Sequence, residues 1–138
     1  MKIFTASQIR ACDEFTIHNE PITSHFLMER AAQKCTDFLF KYLDIKQKIY
    51  IFCGNGNNGG DGFAIARMLY YLNFDVEIYI NKSLQSFSKD ATINFNFLKG
   101  LSGIEIKDFS EFDSSEIDEN EVIIDAVFGS GLNRKLEG

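Results

Sequence analysis

Gly54-Asn55-Gly56-Asn57-Asn58-Gly59-Gly60-Asp61-Gly62 lies between an apolar run, Ile49-Tyr50-Ile51-Phe52-Cys53, and a helical pattern, Phe63-Ala64-Ile65-Ala66-Arg67-Met68-Leu69-Tyr70-Tyr71-Leu72. The order reads as a strand, a glycine-rich turn and a helix start. Five glycines in nine residues argue against a role in packing. They suit positive φ, or a backbone that something must approach closely. The asparagines tolerate left-handed conformations better than most residues. Such a run turns backbone N–H groups toward one point, and the following helix adds its own free N–H groups and dipole. An anionic or strongly polar ligand fits there. Asp61 is the exception, a carboxylate among donors: it caps the helix or it does chemistry.

The 138 residues suit one domain with a sizeable core. Hydrophobic residues at 45% and charged residues at 25% are ordinary for a soluble globular protein. A net charge of −6 argues against a nucleic-acid backbone or an anionic membrane as partner. No stretch is long and apolar enough to span a bilayer, and Met1-Lys2-Ile3-Phe4-Thr5 lacks a signal-peptide core. A cytoplasmic protein is expected. Cys12, Cys35 and Cys53 show no CxxC spacing and read as buried, reduced thiols.

Upstream, Thr5-Ala6-Ser7-Gln8 has the form of a capping box. It predicts a helix to about Asn19, with Ile9, Cys12 and Thr16 on one side and His18 near its end. Pro21 breaks the chain, and Thr23 or Ser24 caps a second helix. Met28, Ala31, Ala32, Cys35, Phe38, Leu39 and Tyr42 recur there at helical spacing. His25 reads as a surface residue. The first strand, about Ile49–Cys53, is apolar throughout, as suits burial on both faces.

Downstream, Val76-Glu77-Ile78-Tyr79-Ile80 is a second strand. Ser88 caps a helix that Gly100 ends. Ile104-Glu105-Ile106 is a short third strand. Residues 108–121 read as an acidic loop with at most a helical turn around Phe112 to Ile117. Val122-Ile123-Ile124-Asp125-Ala126-Val127-Phe128 is a fourth strand, followed by the loop Gly129-Ser130-Gly131-Leu132-Asn133-Arg134-Lys135. Strands separated by helices predict a parallel sheet with right-handed crossovers. The expected fold is a single Rossmann-like domain over residues 1–138: three α/β/α layers, a mainly parallel sheet and two N-terminal helices. A 3-2-1-4 strand order makes strands one and four neighbours and opens a crevice at their C-terminal ends. Both glycine loops then meet there, with Asp125 expected to point near Asn57 and Asn58.

Gly54-x-Gly56-x-x-Gly59 matches a dinucleotide fingerprint, a weak signal alone. The acidic residue that should end the second strand is replaced by Ile80-Asn81-Lys82, which weakens an oxidoreductase reading. No Gly-Lys-Ser/Thr follows, which excludes a P-loop.

Three segments together, Asn57-Asn58-Gly59-Gly60-Asp61-Gly62, Asp125-Ala126-Val127-Phe128-Gly129-Ser130-Gly131-Leu132 and Leu27-Met28-Glu29-Arg30-Ala31-Ala32, resemble the NAD(P)H-hydrate epimerase family over essentially the whole chain. Arg30 departs from the Glu-Asn that relatives often carry. The resemblance implies interconversion of the R and S forms of hydrated NADH and NADPH, a cofactor repair step. It implies one potassium ion, held by Asn58 and Asp125, and substrate contacts from Asn57, Asn58, Gly59, Gly60 and Asp61. A second substrate loop comprises Gly129, Ser130, Gly131, Leu132, Asn133, Arg134 and Lys135. A homodimer is implied, sometimes fused to or working with an NAD(P)H-hydrate dehydratase. Asp61 is the candidate proton carrier. The family pattern continues past Gly138 into an Asp-x-Pro-Ser-Gly loop with a further aspartate and a potassium-ligating serine. This chain is therefore expected to be a piece of a longer protein, or to leave that part of the site incomplete. The competing reading is a nucleotide- or protein-binding module that keeps the fold without turnover.

Overall fold

The computed structural model describes residues 3–83 and 86–130. Helix α1 (Ala6–Asn19) and α2 (Ser24–Leu39) precede β1 (Lys48–Cys53), α3 (Asn57–Tyr71), β2 (Asp75–Ile80), α4 (Lys89–Lys99), β3 (Glu105–Asp108) and β4 (Val122–Ala126). Two 3-10 turns, Phe109–Glu111 and Ser114–Glu116, occupy the acidic segment between β3 and β4. The sheet order is β3-β2-β1-β4, and every pairing is parallel. This is the doubly wound arrangement expected from the alternation of strands and helices.

Residue parity decides what each face of the sheet carries. Ile49, Ile51 and Cys53 of β1 and Val76, Ile78 and Ile80 of β2 point to the helix layer and are buried. There they meet Phe63, Ala64, Ala66 and Leu69 of α3 and Ala91 and Leu98 of α4. The opposite face carries Tyr50, Phe52 and Tyr79. Among the described residues it is covered by the segment after β3: the Phe52 ring stacks on Tyr79 at 5.0 Å and meets Phe112 edge-on at 4.8 Å. Glu77, also on this face, is buried between Lys48 (2.6 Å) and Lys107 (2.8 Å) and accepts from the Tyr79 hydroxyl. Burial pushes its carboxyl up, but the hydrogen bonds from Lys107, Lys48 and Tyr79 outweigh that and hold it at about 2. One carboxylate thus ties three strands together.

The Thr5 capping box forms as expected, with Thr5 N–H on Gln8 Oε1 at 2.8 Å and Gln8 N–H on Thr5 Oγ1 at 3.3 Å. Yet α1 has no buried residue, and Ile9 remains 43% exposed. On α2 the inward line is Met28, Ala32 and Thr36, with Leu39 packed against the core. Cys35 lies one position off that line and is exposed, as is Cys12; of the three thiols expected in the interior only Cys53 is buried. Ala31, Phe38 and Tyr42 share the outer side with Cys35. His25, read as a surface residue, is half-buried in the first turn of α2, its ring 6.0 Å from that of Phe97 on α4. Among the described residues no helix is long and apolar enough to cross a membrane.

Candidate active site

β1 and β4 run side by side, pairing Phe52 with Asp125 and Cys53 with Ala126. The ladder continues one step into the loops, where Gly54 N–H donates to Ala126 O at 3.0 Å. A Cβ on Gly54 would lie 2.0 Å from Val127 O, so the two loops are in backbone contact at the strand ends.

The glycines of the first loop do pack, against the expectation that packing could not explain them. A Cβ on Gly59 would sit 1.9 Å from Gly54 O, and one on Gly62 would sit 2.7 Å from both Ala126 Cβ and Cys53 Sγ. One on Gly60 would press Met28 and Ala91. None of the five adopts positive φ; among the described glycines Gly103 does. Their absent side chains let the first turns of α3 lie directly on the ends of β1 and β4.

That turn belongs to the helix. α3 starts at Asn57, well before the apolar pattern at Phe63, and Gly56 is its N-cap without a side-chain cap. The first intrahelical bond joins Gly60 N–H to Gly56 O (3.1 Å). The amides of Asn57, Asn58 and Gly59 are left as donors at the positive end of the helix. Asp61 is therefore not the N-cap. It lies within the helix and is half-buried. Burial, and secondarily the charge of Asp13 on α1, push its carboxyl up to about 6. Such a group exchanges protons near neutrality. Asp13 escaped the sequence reading because nothing local links it to Asp61.

Asp125 Oδ1 accepts the Val127 N–H at 2.9 Å, the turn-holding bond available to any strand-end aspartate. Among the described residues it makes no hydrogen bond to Asn57 or Asn58. Asn58 meets the second loop at Gly129 instead, where an added Cβ would lie 3.0 Å from Asn58 Cβ and 3.4 Å from its Oδ1. Gly129 and Ser130 are exposed. Gly131, Leu132, Asn133, Arg134 and Lys135 lie outside the described residues. Ser88, expected only as the cap of α4, also reaches the first loop: its Oγ donates to Asn57 Oδ1 at 2.6 Å.

A separate cavity of about 460 Å³ opens in the helix layer, toward the other end of α3. His25, Phe26, Phe97 and the Arg67–Glu29 ion pair (2.5 Å) line it. It lacks the convergence of loops seen at the strand ends.

The parallel sheet, its strand order and the glycine-loop crevice define a Rossmann-like α/β protein. The crystal structure of the yeast protein ynu0 shares this fold, with a TM-score of 0.74 at 19% identity over 99% of this chain and 60% of that one. The chain belongs to the family described as YjeF-related protein N-terminus, whose model matches residues 24–138. Similar curated proteins include an NAD(P)H-hydrate epimerase of Roseobacter litoralis, 36% identical over 99% of this chain and 67% of the relative. One of Limosilactobacillus fermentum is 37% identical over 97% of this chain and 62% of the relative. A bifunctional NAD(P)H-hydrate repair enzyme Nnr of Dictyoglomus turgidum is 39% identical over 99% of this chain but 27% of its own length. The chain thus spans about two thirds of the single-function relatives and about a quarter of the bifunctional one.

Proposed function

We propose that this domain carries the epimerase activity that interconverts the R and S forms of hydrated NADH and NADPH. The observation that carries the reading is the meeting of both glycine loops at the ends of β1 and β4, with Asp61 close by on α3. The free amides of Asn57, Asn58 and Gly59 suit the acceptor oxygens of a nucleotide. The hydrated ring bears a hydroxyl on a carbon bonded to nitrogen. In its acid form Asp61 gives a proton to that hydroxyl. The C–O bond breaks, water leaves, and the ring-nitrogen lone pair forms the C=N⁺ bond. Water adds to the opposite face and returns its proton to the Asp61 carboxylate, so atoms and charge balance over the cycle.

Potassium belongs to the same reading. Asn58 offers an amide oxygen beside the space that Gly129 leaves, and Asp125 has a second carboxylate oxygen beyond the one engaged by Val127. Both are hard oxygen donors of the kind an alkali cation takes. When bound, the ion supplies positive charge that holds and orients substrate oxygens. The relative named as bifunctional supports a partnership with a dehydratase.

The test is conversion of the R hydrate by the intact protein, coupled to a dehydratase that accepts only the S form, with the spontaneous rate subtracted. Potassium is expected to raise both this rate and, by ligand linkage, the melting temperature more than sodium at equal ionic strength. Binding without turnover would instead identify a non-catalytic module. Equal responses to the two salts would remove the ion site.

A further inference from the structure

Ser88 sits where two elements of the site are joined. Its backbone N–H donates to Asn55 O at 2.8 Å, and its carbonyl accepts Thr92 N–H at 2.8 Å in the first turn of α4. Its Oγ accepts the Ala91 N–H at 3.3 Å and lies 2.6 Å from Asn57 Oδ1. A serine hydroxyl has one proton to give. The 2.6 Å separation from Asn57 Oδ1 suits an O–H···O bond and is shorter than an N–H···O bond ordinarily reaches, so the proton goes to Asn57. The Asn57 group facing Ser88 is then its amide oxygen.

The consequence lies at the other end of the amide. Asn57 is exposed at the first position of α3, and its NH₂ has no partner among the described residues. An unrestrained asparagine can turn either its oxygen or its nitrogen toward a ligand. With the oxygen tied to Ser88, the nitrogen is presented beside the free amides at the start of α3. The Asn57 NH₂ and the free amides of Asn57, Asn58 and Gly59 then present donors side by side. An acceptor turned outward by a flip of Asn57 would repel the same oxygens that the backbone attracts.

We propose that Ser88 is a positioning residue that fixes the Asn57 amide with its NH₂ toward the substrate, so that the rim recognises acceptor oxygens of the hydrated nucleotide. This rests on the epimerase reading of the crevice. Ser88 does not touch the reacting atoms, so its effect belongs in KM rather than kcat.

The capping role must be separated from the positioning role. Glycine replaces serine at an N-cap with much less loss of stability than alanine does. In the intact protein, Ser88→Gly is expected to raise KM for the hydrate about 3- to 10-fold, as for one lost hydrogen bond. Its kcat and melting temperature should be nearly unchanged. Ser88→Thr keeps hydroxyl and cap and should restore the wild-type KM. In an Asn57→Ala background, Ser88→Gly should add nothing further. An unchanged KM in Ser88→Gly, or an equal rise with and without the Asn57 side chain, would overturn the proposal while leaving the epimerase reading intact. A wild-type protein without epimerisation would overturn both.

Discussion

Asp61→Asn is expected to slow epimerisation by roughly 10²–10⁴-fold, the usual loss when a general acid or base is removed, and to make the protein more stable at neutral pH. The stability gain follows from the burial of the carboxyl. Its ordinary value is 3.8, and in the fold it is pushed up to about 6, first by burial and then by Asp13. Between those values the folded state holds a proton that the unfolded chain has lost, so stability falls as pH rises through that range. The penalty is absent below about pH 4 and complete above about pH 6. Its ceiling is about 3 kcal/mol, and partial solvation of the group brings it to on the order of 1–2 kcal/mol. Urea unfolding at pH 4 and pH 7 should show the variant and wild type equal at the lower pH and the variant ahead at the higher. Near-normal turnover in the variant would remove Asp61 from the chemistry; equal stability at both values would mean that its carboxyl is not strained by its surroundings.

Gly59→Ala is expected to destabilise the domain by more than about 3 kcal/mol, beyond the usual cost of overpacking. Two effects compete at this position. Alanine is the better helix former by about 1 kcal/mol, and Gly59 lies in the first turn of α3. Against that, the new Cβ would lie 1.9 Å from Gly54 O and 2.6 Å from Gly54 C. Both are backbone atoms of the residue that bonds Ala126, so relief means separating the loop from β4. Steric exclusion wins by this arithmetic. Gly56→Ala is the control: nothing lies within 4 Å of its added Cβ, and only the N-cap preference is lost, about 1 kcal/mol or less. Thermal or urea unfolding of the pair decides the matter. Similar small losses in both would mean that the α3 start is not clamped against β1 and β4.

The sheet was legible because each strand is a short apolar run closed by turn residues, and the crossover rule then leaves few orders. The meeting of the two glycine loops followed from that order. The start of α3 was not legible, because glycine has poor helix propensity and hides the first turn behind what reads as a loop. Asp61 was read as a possible cap for the same reason. Cys35 was misplaced because α2 carries two adjacent apolar lines, and only packing against α3 chooses the one through Met28, Ala32 and Thr36. Asp13 and Ser88 act across the fold on Asp61 and Asn57, and no local pattern encodes such pairs. The family resemblance, by contrast, rested on motifs whose order along the chain matched, and family membership is what the comparisons bear out.

Substrate is expected to bind where β1 and β4 end. Hydrated NADPH titrated into the isotopically labelled, potassium-loaded intact protein tests this most directly by amide chemical-shift mapping. The largest shifts are expected at Asn57, Asn58, Gly59, Asp61 and Gly129. Shifts confined to His25, Arg67 and Phe97 around the helix-layer cavity, with the strand-end loops unmoved, would contradict it.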